Sequence, residues 1–319
     1  MAGLTTTLTQ EMMSYLDSDF LEKSIQYNPH REGFKLKMHK QNSGKTVTYV
    51  RQDIPTTTGV TTPVVEGTTP TAIDLTDNTV SATLAVYGRH TVVSDLLNYT
   101  SIDEAANEKK DSMATQASNV ADTLAREVMY TGSTVQFANA RSSLATVTAT
   151  DVMNSIETRK AVRTLKKNNA VPYKDGYFLG KIGPDTSYDL MGDSVWVNAH
   201  TYKDGDNLYQ GEVGRIFQVR FIECSSNQKS EGSTTTVYSN FIHGQNAFGA
   251  LNLEGAPKPT GTQLDRSARN MQLIVKKDTS GNDTSNPLDL YFTIGWKFLD
   301  ALVTLNSLWS VNIKSGASV

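Results

Sequence analysis

The 319-residue chain contains a single cysteine, Cys224, and little else that would serve metal or redox chemistry. One cysteine excludes a disulfide framework and a thiolate metal cluster. We interpret Cys224 as a half-buried strand residue rather than a reactive thiol. The five histidines are scattered, and no two of them have the i,i+4 spacing of a helical zinc site. The sequence therefore predicts neither a metal ion nor a cofactor.

The chain also lacks the short motifs of common enzymes and nucleotide-binding proteins. It has no G-x-G-x-x-G, P-loop, H-E-x-x-H, C-x-x-C or G-x-S-x-G. Asp185 and Asp189 share one face of a predicted helix, but Asp185 follows Pro184 and is interpreted as a first-turn residue that suits the helix dipole. We expect no catalytic residue, and a soluble enzyme with an unrecognised site is the less favoured alternative.

Neither an excess of one charge nor a long apolar run is present. There are 30 Lys and Arg residues against 33 Asp and Glu, for a formal net charge of −3. This balance gives no global signal for binding nucleic acid or an anionic membrane. The most apolar stretch, residues 288–313, is interrupted by Asp289, Lys297 and Asp300. The first residues do not resemble a secretory signal. We expect a soluble protein made in the cytosol, with no membrane partner.

Residues 52–88 contain no lysine or arginine and are rich in threonine, valine, proline and glycine. Strands are predicted on both sides, at 45–51 and 80–92, and the second has His90 and alternate residues from Val80 to Val92 on its apolar face. The threonine-rich sequence between them favours an extended ribbon with arms of roughly 45 Å. A lone ribbon is marginal in water, so we predict an arm made for a neighbouring subunit. The candidate contact residues are Pro55, Thr57, Val60, Pro63, Val65 and Glu66.

Two helices are predicted around this ribbon. Residues 9–27 carry apolar residues at helical spacing, and the first 40 residues are expected to form an arm that docks against another structure. Residues 101–131 predict one helix of about 45 Å that ends at Gly132. Its alanine-rich stripe suits close packing against a sheet. The predicted stripe is Ile102, Ala106, Met113, Ala117, Val120, Leu124 and Val128.

From residue 150 the predicted elements become shorter and alternate between helix and strand. A helix begins at Thr150 or Asp151, a second spans 184–190, and strands are expected at 177–182, 216–224, 234–241 and 271–276. The C-terminal region returns to strict alternation. Its apolar faces are Leu288, Leu290, Phe292, Ile294, Trp296 and Phe298, then Trp309, Val311 and Ile313, with Ser310, Asn312 and Lys314 on the polar face. We predict a peripheral domain of N- and C-terminal segments with residues 150–285 inserted.

Basic residues cluster once, at Arg159, Lys160, Arg163, Lys166 and Lys167. Cations near a helix C-terminus complement its dipole, so a solvated helix face is the favoured interpretation. The alternatives are a contact with acidic residues of another subunit, or loose contact with enclosed nucleic acid. No aromatic interleaving accompanies the charges. The candidate contact residues here are Arg159, Lys160, Arg163 and Lys166.

The order of these segments and five short stretches resemble a known family. The stretches are residues 42–47 (NSGKTV), 62–70 (TPVVEGTTP), 87–95 (YGRHTVVSD), 160–170 (KAVRTLKKNNA) and 211–215 (GEVGR). Together they resemble the major capsid proteins of tailed bacteriophages, which have the Hong Kong 97-type fold, and among them the N-four-type coliphage family. The resemblance runs from about residue 40 to the end and depends on the shared order of the stretches.

The resemblance implies an α+β fold with five parts. These are an N-terminal arm (1–40), an extended β-hairpin loop with flanking strands (41–92), a peripheral domain with a long spine helix (93–149), an axial domain (150–285) and C-terminal strands returning to the peripheral domain (286–319). It also implies hexamers and pentamers of an icosahedral shell around packaged double-stranded DNA. The implied location is the virion, after assembly in the host bacterial cytoplasm.

The implied partners are further copies of the chain, a portal protein, scaffolding and decoration proteins, and non-specifically the packaged DNA. An encapsulin-like compartment is the alternative within the same fold. Some relatives join subunits through a Lys–Asn isopeptide bond, with the lysine on the extended loop. Here no lysine lies between Lys45 and the far strand. We therefore expect a shell without covalent cross-links.

Overall fold

A computed structural model describes residues 29–40, 43–52, 63–69, 72, 77–100, 105–201, 212–227, 229–231, 235–253, 272–276 and 290–318. Its α-helices are α1 (Asp95–Thr100), α2 (Ala105–Gly132), α3 (Ser155–Lys167), α4 (Pro184–Met191) and α5 (Ser194–Thr201). Its strands are β1 (Lys35–His39), β2 (Thr46–Gln52), β3 (Asp77–Thr83), β4 (Ala85–Ser94), β5 (Thr134–Phe137), β6 (Phe178–Ile182), β7 (Glu212–Ile216), β8 (Val219–Glu223), β9 (Lys229–Glu231), β10 (Thr236–His243), β11 (Phe248–Leu253), β12 (Gln272–Lys276), β13 (Tyr291–Asp300), β14 (Leu302–Thr304) and β15 (Ser310–Ser315). The helix predicted at residues 9–27 lies outside the described residues.

Within the described residues, these strands form four sheets. The seven-stranded sheet has the order β5-β15-β10-β6-β8-β7, and β9 pairs with the part of β10 that β6 leaves open. Two three-stranded sheets have the orders β12-β13-β4 and β1-β11-β14, and β2 pairs with β3 in a separate ribbon. Helices α3, α4 and α5 pack on one face of the seven-stranded sheet, in an apolar core that includes Leu165, Leu190 and Trp196.

Helix α2 confirms the long helix predicted at residues 101–131, but Val120, Leu124 and Val128 of the predicted stripe are only partly buried. Four of its alanines, Ala114, Ala117, Ala121 and Ala125, are fully buried. The first three pack with the β12-β13-β4 sheet, while Ala125 packs near Phe241 of the seven-stranded sheet. Small side chains let the helix lie close to both sheets. The helix ends at Gly132, as predicted, where a Cβ would overlap the side chain of Thr304.

The predicted alternation is confirmed in β13 from Phe292 to Phe298, and Leu288 lies outside the described residues. Phe292, Ile294, Trp296 and Phe298 are buried in one cluster with α2. Strand β13 pairs with β4 on one side and with β12 on the other, both antiparallel. Residues 272–276, expected within the inserted region, therefore lie beside the C-terminal strand instead. Leu290, predicted on the same apolar face, is exposed.

The strand predicted at 80–92 is two strands, because the chain changes sheets near Leu84. Strand β3 pairs with β2, whereas β4 pairs with β13. Ala82 is buried in β3, but in β4 Val93 is the buried residue, and Val86 and Val92 are exposed. A one-residue change of parity exchanges the two faces of a strand. His90, expected on the apolar face, is consequently exposed.

Two predictions about local boundaries in the middle region are wrong. The strand expected at 216–224 is a hairpin of β7 and β8, because Phe217 and Gln218 form a turn with φ of 47° and 66°. Helix α3 begins after Asn154, whose side chain accepts a hydrogen bond from the Glu157 backbone N–H, and not at Thr150 or Asp151. Cys224 follows β8 and is fully buried rather than half-buried.

Residues 29–39, predicted as the end of an N-terminal arm, pack against other elements of the same chain. Strand β1 pairs in parallel with β11, and Phe34 stacks on Phe248. His30 is fully buried, and Arg31 forms an ion pair with Asp300. The expectation that all of residues 1–40 dock elsewhere is therefore wrong for residues 29–39, because β11 and α2 supply partners within the chain.

Strand β15 lies inside the seven-stranded sheet, between β5 and β10. This segment was predicted to return to the peripheral strands, with Ser310, Asn312 and Lys314 on its polar face. All six of its residues are buried, including Asn312 and Lys314. The polar face is buried because α2 covers it, with the Lys314 ammonium 3.8 Å from the centre of the Tyr130 ring.

Candidate functional site

The first candidate surface is the ribbon of β2 and β3, which packs through one face against β11 and the residue between β13 and β14. Val47, Tyr49 and Ala82 are buried against Leu251 and Ala301. The Tyr49 hydroxyl donates a hydrogen bond to the Ala250 carbonyl, 3.0 Å away, and burial raises the pKa of Tyr49 to about 12. One face of the ribbon is therefore buried within the chain, whereas Val50 on the other face is exposed.

The predicted contact residues beyond this base are only partly described. Pro55, Thr57 and Val60 lie outside the described residues. Pro63, Val65 and Glu66 lie within residues 63–69, and all three are exposed. Val65 is 71% exposed, and its neighbour Val64 is 67% exposed. Apolar side chains displayed together in this way are free to bury surface on another molecule.

The second candidate surface is a shallow groove along α3, which we call the basic groove. It encloses about 710 Å³ and is lined by Arg159, Val162, Arg163, Lys166, Lys167, Phe217 and Gln218. The helix is amphipathic: Ala161 and Leu165 face the core, while Arg159, Arg163, Lys166 and Lys167 are exposed. The structure thus brings three of the four predicted basic contact residues to one groove.

Phe217 is the groove residue that the sequence analysis missed. It lies in the turn between β7 and β8, and the Arg159 guanidinium is 5.5 Å from the centre of its ring. The signal in the sequence is the spacing of Ile216, Val219 and Phe221, which are all buried. An odd spacing between buried residues breaks the period of a single strand.

Lys160, the fourth predicted basic residue, is not among the groove's lining residues. Its ammonium donates to the Glu157 carboxylate over 2.7 Å, and Glu157 is buried. The same carboxylate accepts hydrogen bonds from the Asn139 backbone and the Gln136 amide. Lys160 therefore belongs to a network that joins α3 to β5 and the following turn.

A third group is buried and was not expected from the sequence. Residues 29–34, which we call the strap, lie between α2 and the seven-stranded sheet. The Lys181 ammonium donates to the carbonyls of His30 and Glu32, at 2.6 and 2.8 Å. The Tyr173 hydroxyl donates to the Gly33 carbonyl at 2.8 Å. The strap is therefore held to the sheet through its backbone.

The strap is held to α2 by a buried histidine–carboxylate pair. His30 Nδ1 lies 2.8 Å from Asp122 Oδ2, and the His30 backbone N–H donates to Oδ1. Burial lowers the pKa of His30. Burial would raise the pKa of Asp122, but the hydrogen bonds from His30 and Ser226 outweigh it and hold that pKa below its usual value. Around neutral pH a neutral imidazole therefore donates to an ionised carboxylate.

The other titratable groups of this region have pKa values displaced by burial. Burial lowers the pKa of Lys181 to about 8 and raises that of the Cys224 thiol to about 12. Burial, with the nearby Lys181 charge, also holds the pKa of His243 well below its ordinary value. At neutral pH Cys224 is thus a thiol, which does not favour nucleophilic chemistry.

Two kinds of feature are absent from the described residues. There, no three or more His, Cys, Asp and Glu side chains group as a metal site would require. Over the same ranges, none of the helices combines the length and apolar character of a membrane span.

The fold, in contrast to the sequence, has clear counterparts among known proteins. No protein-family model matches the chain, and no curated protein matches its sequence. The capsid of Ralstonia phage GP4 matches with a TM-score of 0.64 and 11% identity over 90% of each chain. The capsid of cyanophage Pam1 matches with a TM-score of 0.62 and 14% identity, over 91% of this chain and 93% of that one. Cyanophage P-SCSP1u matches at 0.61 and 12%, over 92% and 89%.

These likenesses confirm the predicted fold class. The chain has an α+β fold of the Hong Kong 97 type, with the long helix, the ribbon and the large central sheet in one chain. Membership of the narrower N-four-type coliphage family stays a prediction.

Proposed function

We propose that the chain is the major capsid protein of a tailed double-stranded DNA bacteriophage. The observation that carries this proposal is the fold, which extends over about nine tenths of both this chain and the phage capsid chains that it matches. In this function the chain is a structural protein and not an enzyme. Its copies form hexamers and pentamers that close into an icosahedral shell around the genome.

Two surfaces of the described chain support self-association. The ribbon is anchored at its base by Tyr49 and exposes Val64 and Val65 farther along. The basic groove presents cations around an apolar floor. Neither surface is covered by the described residues, and each would gain burial or charge neutralisation from another molecule. The proposed partners are other copies first, then a portal protein, scaffolding and decoration proteins, and the packaged DNA through non-specific proximity.

Electron microscopy and light scattering of the purified chain test this function. We expect closed shells of many copies, found in the virion and assembled in the bacterial cytoplasm. A monomer or dimer under all assembly conditions would contradict the proposal. Nuclease-protected DNA inside the particles supports a viral capsid, whereas an enclosed enzyme would favour the encapsulin-like alternative.

The extended loop offers a direct test of how the shell is held together. Deleting residues 55–78 is expected to leave the rest of the chain folded, as seen by circular dichroism, and to prevent shell closure. Normal shells from this deletion would refute a role for the loop. Because no lysine lies on the loop beyond Lys45, mature particles should give monomer-sized bands on denaturing gels. A ladder of linked subunits would contradict the non-covalent shell.

A further inference from the structure

The basic groove combines strong positive charge with an apolar floor. Its lining contains four cations and no carboxylate, and its floor is Val162 and Phe217. Among the described residues, no ion pair engages Arg163, Lys166 or Lys167. Such a groove suits a partner that presents a carboxylate beside an aromatic or other apolar side chain. A phosphate backbone would use the cations but leave the floor unoccupied.

A surface with that chemistry exists on the same chain, on helix α4. Tyr188 is 72% exposed and Met191 is 42% exposed. Asp189 lies between them in sequence, and with them and Gly192 it lines a shallow depression. Its carboxylate accepts hydrogen bonds from the backbone and hydroxyl of Ser318, and no cation is paired with it among the described residues. We call Tyr188, Asp189 and Met191 the α4 surface.

The α4 surface and the basic groove lie near opposite ends of strand β6 in the seven-stranded sheet. The groove includes the turn before β8, where the Phe178 N–H donates to the Gln218 carbonyl at the start of β6. Helix α4 begins directly after β6 ends. The five residues of β6 span roughly 13–16 Å, so each copy offers both surfaces at the same time. Two different complementary patches on one chain produce head-to-tail contacts, which close into rings when the rotation permits.

We propose that the basic groove of one copy receives the α4 surface of a second copy, with Asp189 among the groove cations and Tyr188 and Met191 against its apolar floor. This inference rests on the proposed function, because it names a contact through which the copies assemble. It goes further by assigning the acidic partner of the groove.

A charge exchange tests the contact in assembled particles. Arg163→Glu and Asp189→Arg are each expected to reduce the assembled fraction at least tenfold, because each places like charges together. The double variant is expected to recover at least half of wild-type assembly. Asp189→Asn, which keeps an acceptor for Ser318, separates loss of charge from loss of that hydrogen bond. Unchanged assembly in both single variants, or no recovery in the double variant, would overturn the inference.

A disulfide trap tests the contact even when no shell forms. Chains carrying Phe217→Cys are mixed with chains carrying Tyr188→Cys, and a linked dimer is expected on non-reducing gels. The native Cys224 is buried with a raised pKa, so it does not compete. The matched control replaces Phe217→Cys with Val86→Cys, at an exposed position in another sheet. Absence of a dimer above that control overturns the inference, whether or not the wild type assembles.

The two tests also separate the two hypotheses. Wild-type shells combined with a failed charge exchange and a failed trap leave the capsid function standing and refute the contact. A trapped dimer from a chain that never forms shells supports the contact and contradicts the capsid function. If Arg163→Glu assembles normally but its particles lose DNA, the groove is a nucleic-acid contact and the inference is wrong.

Discussion

The two faces of the seven-stranded sheet are both buried, but they are stabilised by different chemistry. The face toward α3, α4 and α5 is apolar and includes Phe221, Ile242 and Ile313. The face toward α2 and the strap carries Lys181, His243, Asn312 and Lys314. Alternate residues of the same strands supply the two faces. Burial of apolar area stabilises the first face, whereas on the second the hydrogen bonds of Lys181 and Lys314 must offset the desolvation of their ammonium groups.

The difference between the two faces explains how the strap, α2 and the seven-stranded sheet are joined. The hydrophobic effect is non-directional, whereas a buried hydrogen bond is satisfied only within a narrow range of distance and angle. The strap, α2 and the central sheet meet where Lys181 contacts the His30 carbonyl and His30 contacts Asp122. The polar face therefore defines the position of the strap relative to both the helix and the sheet.

The largest effect is expected on the apolar face. Phe221→Ala removes a fully buried ring that packs beside Trp196, and should lower the free energy of unfolding by about 3–5 kcal/mol. Chemical denaturation measures this loss. Ile156→Ala, at an exposed position of α3, is the control and should change stability by less than about 1 kcal/mol. Equal losses from the two variants would show that this face is not the main core.

A loss of about 3 kcal/mol is expected from Asp122→Ala on the polar face. The substitution leaves three donors without their acceptor, namely the His30 backbone, the His30 ring and the Ser226 hydroxyl. Proteolysis at the strap should accelerate along with the loss of stability. The control is Asp175→Ala, which removes a half-exposed partner of Arg220 and should cost less than about 1 kcal/mol. If Asp122→Ala lowers the free energy of unfolding as little as the control does, the strap does not contribute to the stability of the fold.

The smallest effect, and one that depends on pH, is expected from Lys181→Met. Burial lowers the folded-state pKa of Lys181 from 10.5 to about 8, so between these values the unfolded chain binds more protons than the folded chain. Stability contributed by Lys181 must therefore rise with pH across that window. The stability of the wild type relative to Lys181→Met should increase by about 1 kcal/mol from about pH 7.5 to about pH 9. A difference that stays constant or falls would show that Lys181 is not desolvated.

Elements with a long, uniform period could be predicted from the sequence. The alternation from Phe292 to Phe298 buries one face, so the pattern alone specifies it. The length of α2 was also predicted, but of its predicted stripe Met113 and Ala117 are buried, whereas Val120, Leu124 and Val128 are only partly buried. The basic residues Arg159, Arg163 and Lys166 could also be placed on one surface from their helical spacing. Phe217 was missed because the turn residues Phe217 and Gln218 include none of the glycine, asparagine or aspartate typical of this turn type, so only the odd spacing of Ile216, Val219 and Phe221 marks the turn.

The long helix, the ribbon, the main alternating strand and the α+β class follow from the amino-acid sequence alone. Those features depend on local periodicity and β-branched content, which neighbouring residues set. In contrast, long-range packing places β15 in the seven-stranded sheet, separates β4 from the ribbon and buries the strap against Lys181 and Asp122. These outcomes depend on partners more than 60 positions away in the sequence, and alternation cannot distinguish a polar face covered by α2 from one covered by water.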